Sequence, residues 1–187
     1  LGLSSDDRGW TPAALRHRGL AHIPDDRRHT AIAEGMDLTA NHLLCHDDSY
    51  SQRGIIAWDA ARQRVGGLID LFKVKARGPR EAMRALSGGN QQKLVVAREL
   101  EGAPKVLVAA HPTRGLDVRT THAIHEALAE ARDRGAAIVM VSGDLDEIRL
   151  VADRVMVLGG GRAFGPVAAD QAGPDRLGAW MAGQEAA

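Results

Sequence analysis

Two short apolar runs constrain the fold more than any other feature of the chain. KVLVAA (105–110) and AAIVMVS (136–142) each have the length and β-branched content of a buried strand. A helix-length stretch, about 119–134 and closed by Gly135, separates them. Strands joined through a helix run parallel, whereas an antiparallel pair needs only a tight turn. The expected fold is therefore α/β, a parallel sheet covered by helices. Earlier in the chain, GLAHI (19–23) is a candidate strand ending at Pro24. It follows a short helix capped by Thr11, opened by Pro12 and stopped by Gly19. DDRRHT (25–30) reads as a charged loop. Helices are expected at 36–46, with Met36, Leu43 and Leu44 for packing, and at about 58–76. The second carries Val65, Leu68, Ile69, Leu71 and Phe72 at near-helical spacing, and RGPRE (77–81) links it onward. A helix at about 89–101 closes at Gly102, DLDEIRLVA (144–152) is another, and DRVMVLGGGRAFG (153–165) is a hairpin. The mostly helical stretch 31–100 is expected to form its own lobe, with an α/β part at about 101–165 and a tail at 166–187.

With 187 residues, one domain or one domain with a subdomain is expected. The 24 basic and 24 acidic residues balance, which argues against a nucleic-acid binder relying on a strong basic field. Cys45 is the single cysteine, so no intrachain disulfide forms and a reducing compartment fits. Uncharged runs such as GAAIVMVSG (135–143) fall far short of the ~20 apolar residues of a membrane span. LGLSSDDRGW at the start has neither the basic region nor the apolar core of a signal peptide, and it opens on Leu rather than Met. A fragment, an excised domain or a processed product is the expectation.

LSGGNQQK (86–93) sets Ser87, Gly88 and Gly89 just ahead of a helix. Glycines admit a ligand close to the backbone, and the helix N-terminus presents free N–H groups to phosphate. Ser-Gly-Gly alone reads equally as a plain N-cap and turn. The whole string, followed by KLVVARELEGAPKVLV and then PTRGLD (112–117), is far more specific. It resembles the signature region of ATP-binding cassette (ABC) ATPases, most of all the second nucleotide-binding half of the tandem ATPases that drive simple-sugar and nucleoside import. GLAHIPDDRRHTAIAEGMDLTANHLL (19–44) is similar to that subfamily's GLAYIPEDR…ENL segment, and the resemblance covers about residues 15–165. It implies a P-loop-NTPase-like sheet with helices on both faces and a helical signature subdomain.

Measured against that resemblance, several groups are missing. No G-x-x-x-x-G-K-[ST] occurs anywhere in the 187 residues, so the P-loop amides and lysine that grip the phosphates are absent. In the family that loop lies well ahead of the IPEDR segment, and this chain is expected to start after it. Ala110 and His111 stand in the places of the Walker B Asp and the catalytic Glu, and Gly143 in Ser142-Gly143-Asp144 stands in place of the switch histidine. The place of the glutamine loop falls near Pro24-Asp25, and the sugar-importer second halves also lack a plain glutamine there. His111 is read as a strand-end loop residue rather than a base, since nothing positions a substrate for it. No catalytic residue is assigned.

What matches is Ser87, Gly88, Gly89 and Asn90 of the signature, and Asp117 of the D-loop. The resemblance implies that these contact ATP held, with its Mg, mainly by a second cassette, in tandem or as a dimer. It also implies membrane-spanning permease subunits as partners, no nucleic acid, and a cytoplasmic place on the inner face of the membrane. The alternatives are a competent ATPase whose P-loop lies upstream, a soluble non-transport cassette protein, and a non-functional remnant. His42, Cys45 and His46 lie within one helical turn, and His122, His125 and Glu126 form a second group. Neither supplies the four ligands of a structural zinc, so both read as solvated helix faces and no metal is expected. Arg27, Arg28 and His29 beside Asp25 and Asp26 read as a mixed surface loop, and Trp10, Trp58 and Trp180 as packing residues.

Overall fold

The computed structural model describes residues 10–184 and divides at Val141/Ser142 into two compact units. In the first, helix α1 (Pro12–His17) leads into strand β1 (Leu20–Ile23), and Gly19 makes the turn at φ +96°, a region closed to most side chains. Next come α2 (Arg27–Thr30), α3 (Leu38–Tyr50), a two-residue pair β2 (Ser51–Gln52) and β3 (Ile55–Ile56), and α4 (Trp58–Leu71). Then follow α5 (Gly88–Glu101), β4 (Val106–Ala110), α6 (Val118–Asp133) and β5 (Ala137–Val141). The sheet is parallel in the order β1-β4-β5, with Ile23 beside Ala109 and Ala110 beside Val141.

One face of this sheet is dry. Ala21, Ile23, Leu107 and Ala109 are buried in a core with Leu94, Val95, Leu100, Ile124 and Leu128 from α5 and α6. The opposite face is more open. β5 was expected to be a buried strand, but Val139 is 54% and Val141 50% exposed. The reason is position: β5 stands at the edge of the sheet, and its alternate residues share a face that the described elements leave partly uncovered.

Other expectations are corrected by local chemistry. The 25–30 stretch is not all loop, because the Asp26 side chain accepts the His29 N–H at 3.1 Å and starts the single turn α2. Helix α4 stops at Leu71 rather than near 76: Lys73 turns left-handed at φ +50° and the Val74 N–H returns to the Ile69 carbonyl at 2.9 Å. The apolar pattern runs on because Val74 is buried after the turn, while Leu71 is exposed. Leu43 packs inside, whereas Met36 and Leu44 are exposed; of the tryptophans, only Trp180 is buried.

The second unit holds α7 (Leu145–Val151), the hairpin β6 (Arg154–Gly159) and β7 (Arg162–Ala168), and α8 (Pro174–Met181). The hairpin and α7 fall where expected, and α8 adds an element that the spacing did not suggest. Its core gathers Val155, Val157, Phe164, Leu177 and Trp180. Gly159 is required there, because any Cβ would strike the Trp180 carbonyl.

The first unit is knitted by a buried ion pair. Glu99, with its side chain fully buried, meets Arg98 at 3.0 Å and Arg16 at 2.9 Å, and accepts the His22 backbone N–H at 3.3 Å. Arg98 spends its remaining donors on the carbonyls of Ala31 (2.9 Å) and Asn41 (3.0 Å). Burial alone would raise the Glu99 pKa, but Arg98 and Arg16 outweigh it and hold the carboxyl below its ordinary value. A depressed carboxylate pKa contributes stability that is present above the unfolded value and lost as acid protonates the folded group. Glu99→Leu is expected to cost about 3 kcal/mol or more in urea unfolding, since it strands a buried guanidinium. Asp59→Asn, which breaks the exposed Arg62–Asp59 pair, should cost less than about 1 kcal/mol.

Candidate functional site

Ser87 occupies the N-cap position of α5 with φ −62° and ψ 155°, yet its side chain makes no capping bond to the helix backbone. Its Oγ accepts instead from Asn90 Nδ2 at 2.9 Å, and Asn90 Oδ1 accepts the Lys75 backbone N–H at 2.8 Å. Ser87 is exposed, and without a side-chain bond to the helix backbone it departs from a plain N-cap. The first N–H groups of α5 are left unclaimed by the serine, at the end of the helix where the partial charge is positive.

The two glycines each answer to a neighbour. A Cβ on Gly88 would strike the guanidinium of Arg27. A Cβ on Gly89 would lie 3.3 Å from Thr120 Oγ1 and 3.8 Å from Asp117 Oδ2. Asp117 caps α6: Oδ1 accepts the Thr120 N–H at 3.0 Å and Oδ2 accepts the Thr120 hydroxyl at 2.8 Å. These two bonds, the backbone one foremost, hold its carboxyl below the usual aspartate value. The starts of α5 and α6 therefore meet, and Ser87, Gly88, Gly89, Asn90 and Asp117 form one cluster.

Arg27 is the residue that sequence spacing missed. It belongs to α2, and its guanidinium lies over Gly88 with Nε lacking a hydrogen-bond partner. The corresponding stretch looked like mixed surface charge because nothing in the local pattern says that α2 folds back onto the start of α5.

At the end of β4, Ala110 and His111 lead into a hydrogen-bonded turn. The His111 N–H extends the ladder to the Val141 carbonyl at 2.8 Å, and the His111 carbonyl accepts from Arg114 N–H at 3.2 Å. His111 sits at φ +45°, a left-handed conformation that costs a non-glycine residue on the order of 1 kcal/mol. Gln92 of α5 donates to the Pro112 carbonyl at 2.8 Å, and Arg114 pairs with Asp25 at 3.1 Å. The loop is thus tied to both α5 and the segment after β1. Ala110 offers only a methyl group and His111 an imidazole, so no carboxylate stands at this strand end to take a cation. In the second unit, Ser142, Gly143 and Asp144 act as a helix start. Asp144 Oδ1 accepts from the Asp146 and Glu147 N–H groups at 3.0 and 3.1 Å, and the Ser142 hydroxyl donates to Glu147 at 2.6 Å.

No family model matches the chain. Among curated proteins it is 39% identical over 147 residues to the ribose import ATP-binding protein RbsA of Chromobacterium violaceum, covering 79% of this chain and 29% of that protein. It is 35% identical over 175 residues to the guanosine import ATP-binding protein NupO of Bacillus subtilis, covering 92% and 34%. It is 33% identical over 182 residues to the nucleoside import ATP-binding protein NupA of Lactococcus lactis, covering 96% and 36%. The chain thus spans about a third of the length of these relatives. Among solved structures, an ATP-binding cassette dimer in a post-hydrolysis state with ADP and phosphate superposes with a TM-score of 0.67 at 22% identity, covering 89% of this chain and 69% of that one. An inward-facing putative metal-chelate type ABC transporter gives 0.71 at 13% identity, covering 87% and 63%. At those identities the likeness shows the fold: an α/β sheet with helices of the P-loop-NTPase kind.

The two helix starts predict different responses to truncation. Asp117→Ala removes a true cap and is expected to lower stability by about 1 kcal/mol in urea unfolding. Ser87→Ala removes no backbone bond and should stay within about 0.5 kcal/mol of the parent. A larger loss at Ser87 than at Asp117 would contradict the assignment of the two roles.

Proposed function

We propose, for a chain that belongs to the ATP-binding cassette family, that it supplies the signature surface of an importer ATP-binding protein for simple sugars or nucleosides. The observation that carries this reading is the cluster at the starts of α5 and α6. There an exposed Ser87 leaves the N–H groups of α5 unclaimed, and Gly88 and Gly89 add no side chain of their own beside Arg27 and Thr120. Such a surface suits the terminal phosphates of a nucleotide gripped from the other side. Arg27 adds a cation over the same helix start.

In this reading the chain's own hydrolytic half is silent. Phosphoryl transfer depends on groups that cradle the phosphates, place Mg²⁺ and orient the nucleophile. This chain has no P-loop motif, and it carries Ala110 and His111 at the strand end and Gly143 after β5. ATP and Mg²⁺ would be held mainly by a second cassette, with Ser87 to Asn90 and Asp117 closing that site. The mostly helical stretch 31–100 would face membrane-spanning permease subunits, at the cytoplasmic face of the membrane. No helix among the described residues is long and apolar enough to cross a membrane. The competing reading, a competent ATPase completed by a P-loop outside these residues, shares the signature but requires Ala110 and Gly143 to be tolerated in the chain's own site.

Two measurements test the silent-site and in-trans assignments. The isolated chain is expected to release no phosphate from Mg-ATP above a protein-free control, and Ala110→Asp with His111→Glu should not restore turnover. A base gives ~10²–10⁴-fold only to a substrate already in line. Magnesium-dependent turnover by either form would overturn the silent-site assignment. In an assembled importer, Ser87→Arg should abolish turnover at the partner's site by blocking the backbone approach; activity equal to the parent complex would sink the in-trans role.

A further inference from the structure

Neither ring nitrogen of His42 makes a hydrogen bond, although Nε2 lies within ion-pair distance of Glu101. Its side chain is 0% exposed. Far from lying on a solvated helix face, it points from α3 toward the C-terminal end of α5. His46, one turn later, stacks on it with ring centroids 4.8 Å apart. Glu101, the last residue of α5, brings Oε2 to 3.0 Å from His42 Nε2. Even so, Glu101 Oε2 is also without a hydrogen-bond partner. At 3.0 Å a ring N–H aimed at that oxygen would bond it. The two atoms are therefore close without pointing at each other, as ligands around a common centre are.

The other atoms of the three residues are already committed. His46 Nε2 lies 2.8 Å from the Arg98 carbonyl. A carbonyl only accepts, so Nε2 carries the proton and Nδ1 keeps the lone pair. Glu101 Oε1 is taken by Arg64 Nε and, at 3.4 Å, by the Tyr50 hydroxyl. The two guanidiniums nearby have partners of their own, Arg98 in Glu99 and Arg64 in Glu101 Oε1. Cys45, grouped with these histidines by sequence spacing, turns away and sets Sγ 3.5 Å from Glu99.

We propose that His42, His46 and Glu101 form a binding site for a divalent transition-metal ion, zinc by the chemistry of the donors. Two imidazoles and one carboxylate with an open fourth position are a set that zinc accepts. The supporting bonds match as well: a ligating histidine typically donates its other N–H to a carbonyl, and a ligating carboxylate is held by further hydrogen bonds. The ligand atoms lie within 4.8 Å of one another, and no other group of three or more such side chains gathers this closely among the described residues. A tetrahedral zinc with ligands near ~2.1 Å wants neighbours ~3.4 Å apart, so the His46 ring must swing inward on binding. His46 stands at a break in the helical dihedrals of α3, with φ −135° and ψ 23°, rather than inside a regular turn. The metal would pin α3 to the end of α5 opposite Ser87.

The test is a titration of the chelator-stripped full chain with Co²⁺ and then Zn²⁺. One equivalent of Co²⁺ should give the visible absorption of a four-coordinate site, one equivalent of Zn²⁺ should displace it, and Zn²⁺ but not Mg²⁺ should raise the unfolding midpoint. His46→Gln and Glu101→Gln, each checked for native circular dichroism, should weaken Zn²⁺ at least ~10-fold, while Cys45→Ser should leave affinity unchanged. Absence of saturable binding, or affinity equal to the parent's in both ligand variants, overturns the site and assigns any bound metal to surface histidines such as His17 or His122.

Discussion

The buried Arg98–Glu99 pair is the point on which the first unit turns. It sits near the end of α5, and through it that helix reaches α1 by Arg16, β1 by the His22 N–H, the end of α2 by the Ala31 carbonyl and α3 by the Asn41 carbonyl. A charge pair this deep is retained only if every donor and acceptor is met, because an unmet one costs several kcal/mol. The packing around it is correspondingly tight: Leu94, Val95, Val96, Ala97 and Leu100 of α5 are all buried. Helix α5 is thus fixed along its length and leaves its N-terminus, with Ser87, at the surface.

That rigidity matters for what the site can do. A helix start recognises phosphate only if its N–H groups are aimed in advance, since reorganisation would spend the gain. Here α5 is locked by its core, Asn90 is tied to Lys75, and Asp117 is locked by Thr120 against Gly89. At the strand end the contrast is chemical rather than geometric. The turn after β4 keeps its hydrogen bonds and its strained His111 backbone, but the side chains there are a methyl and an imidazole. The position offers ordered backbone hydrogen bonds but no carboxylate.

The sheet and its helices were legible because their signals are local. Val106–Ala110 and Ala137–Val141 are apolar runs of strand length with a helix between, and Thr11-Pro12 and Gly19 punctuate the first helix. Ser87 to Asn90 and Asp117 lie in short local strings, and the structure brings the starts of α5 and α6 together at Gly89. Contacts between distant segments were not legible. Nothing near Arg27 announces Gly88, and nothing near His42 announces Glu101. The charged stretch 25–30 hid a capped turn for the same reason that β5 seemed buried: composition reports what a residue tolerates, while tertiary position decides what covers it.

The central claim is that Ser87 to Asn90 and Asp117 face a nucleotide held by another cassette. The most direct measurement is photolabelling with a γ-phosphate-linked ATP probe, followed by peptide mapping, on this chain alone and in complex with a cassette that carries a P-loop. The account predicts label on the 86–93 and 117–120 segments in the complex and none on the chain alone. Label centred on Ala110 and His111 in the isolated chain, or an unlabelled signature segment in an active complex, would contradict it.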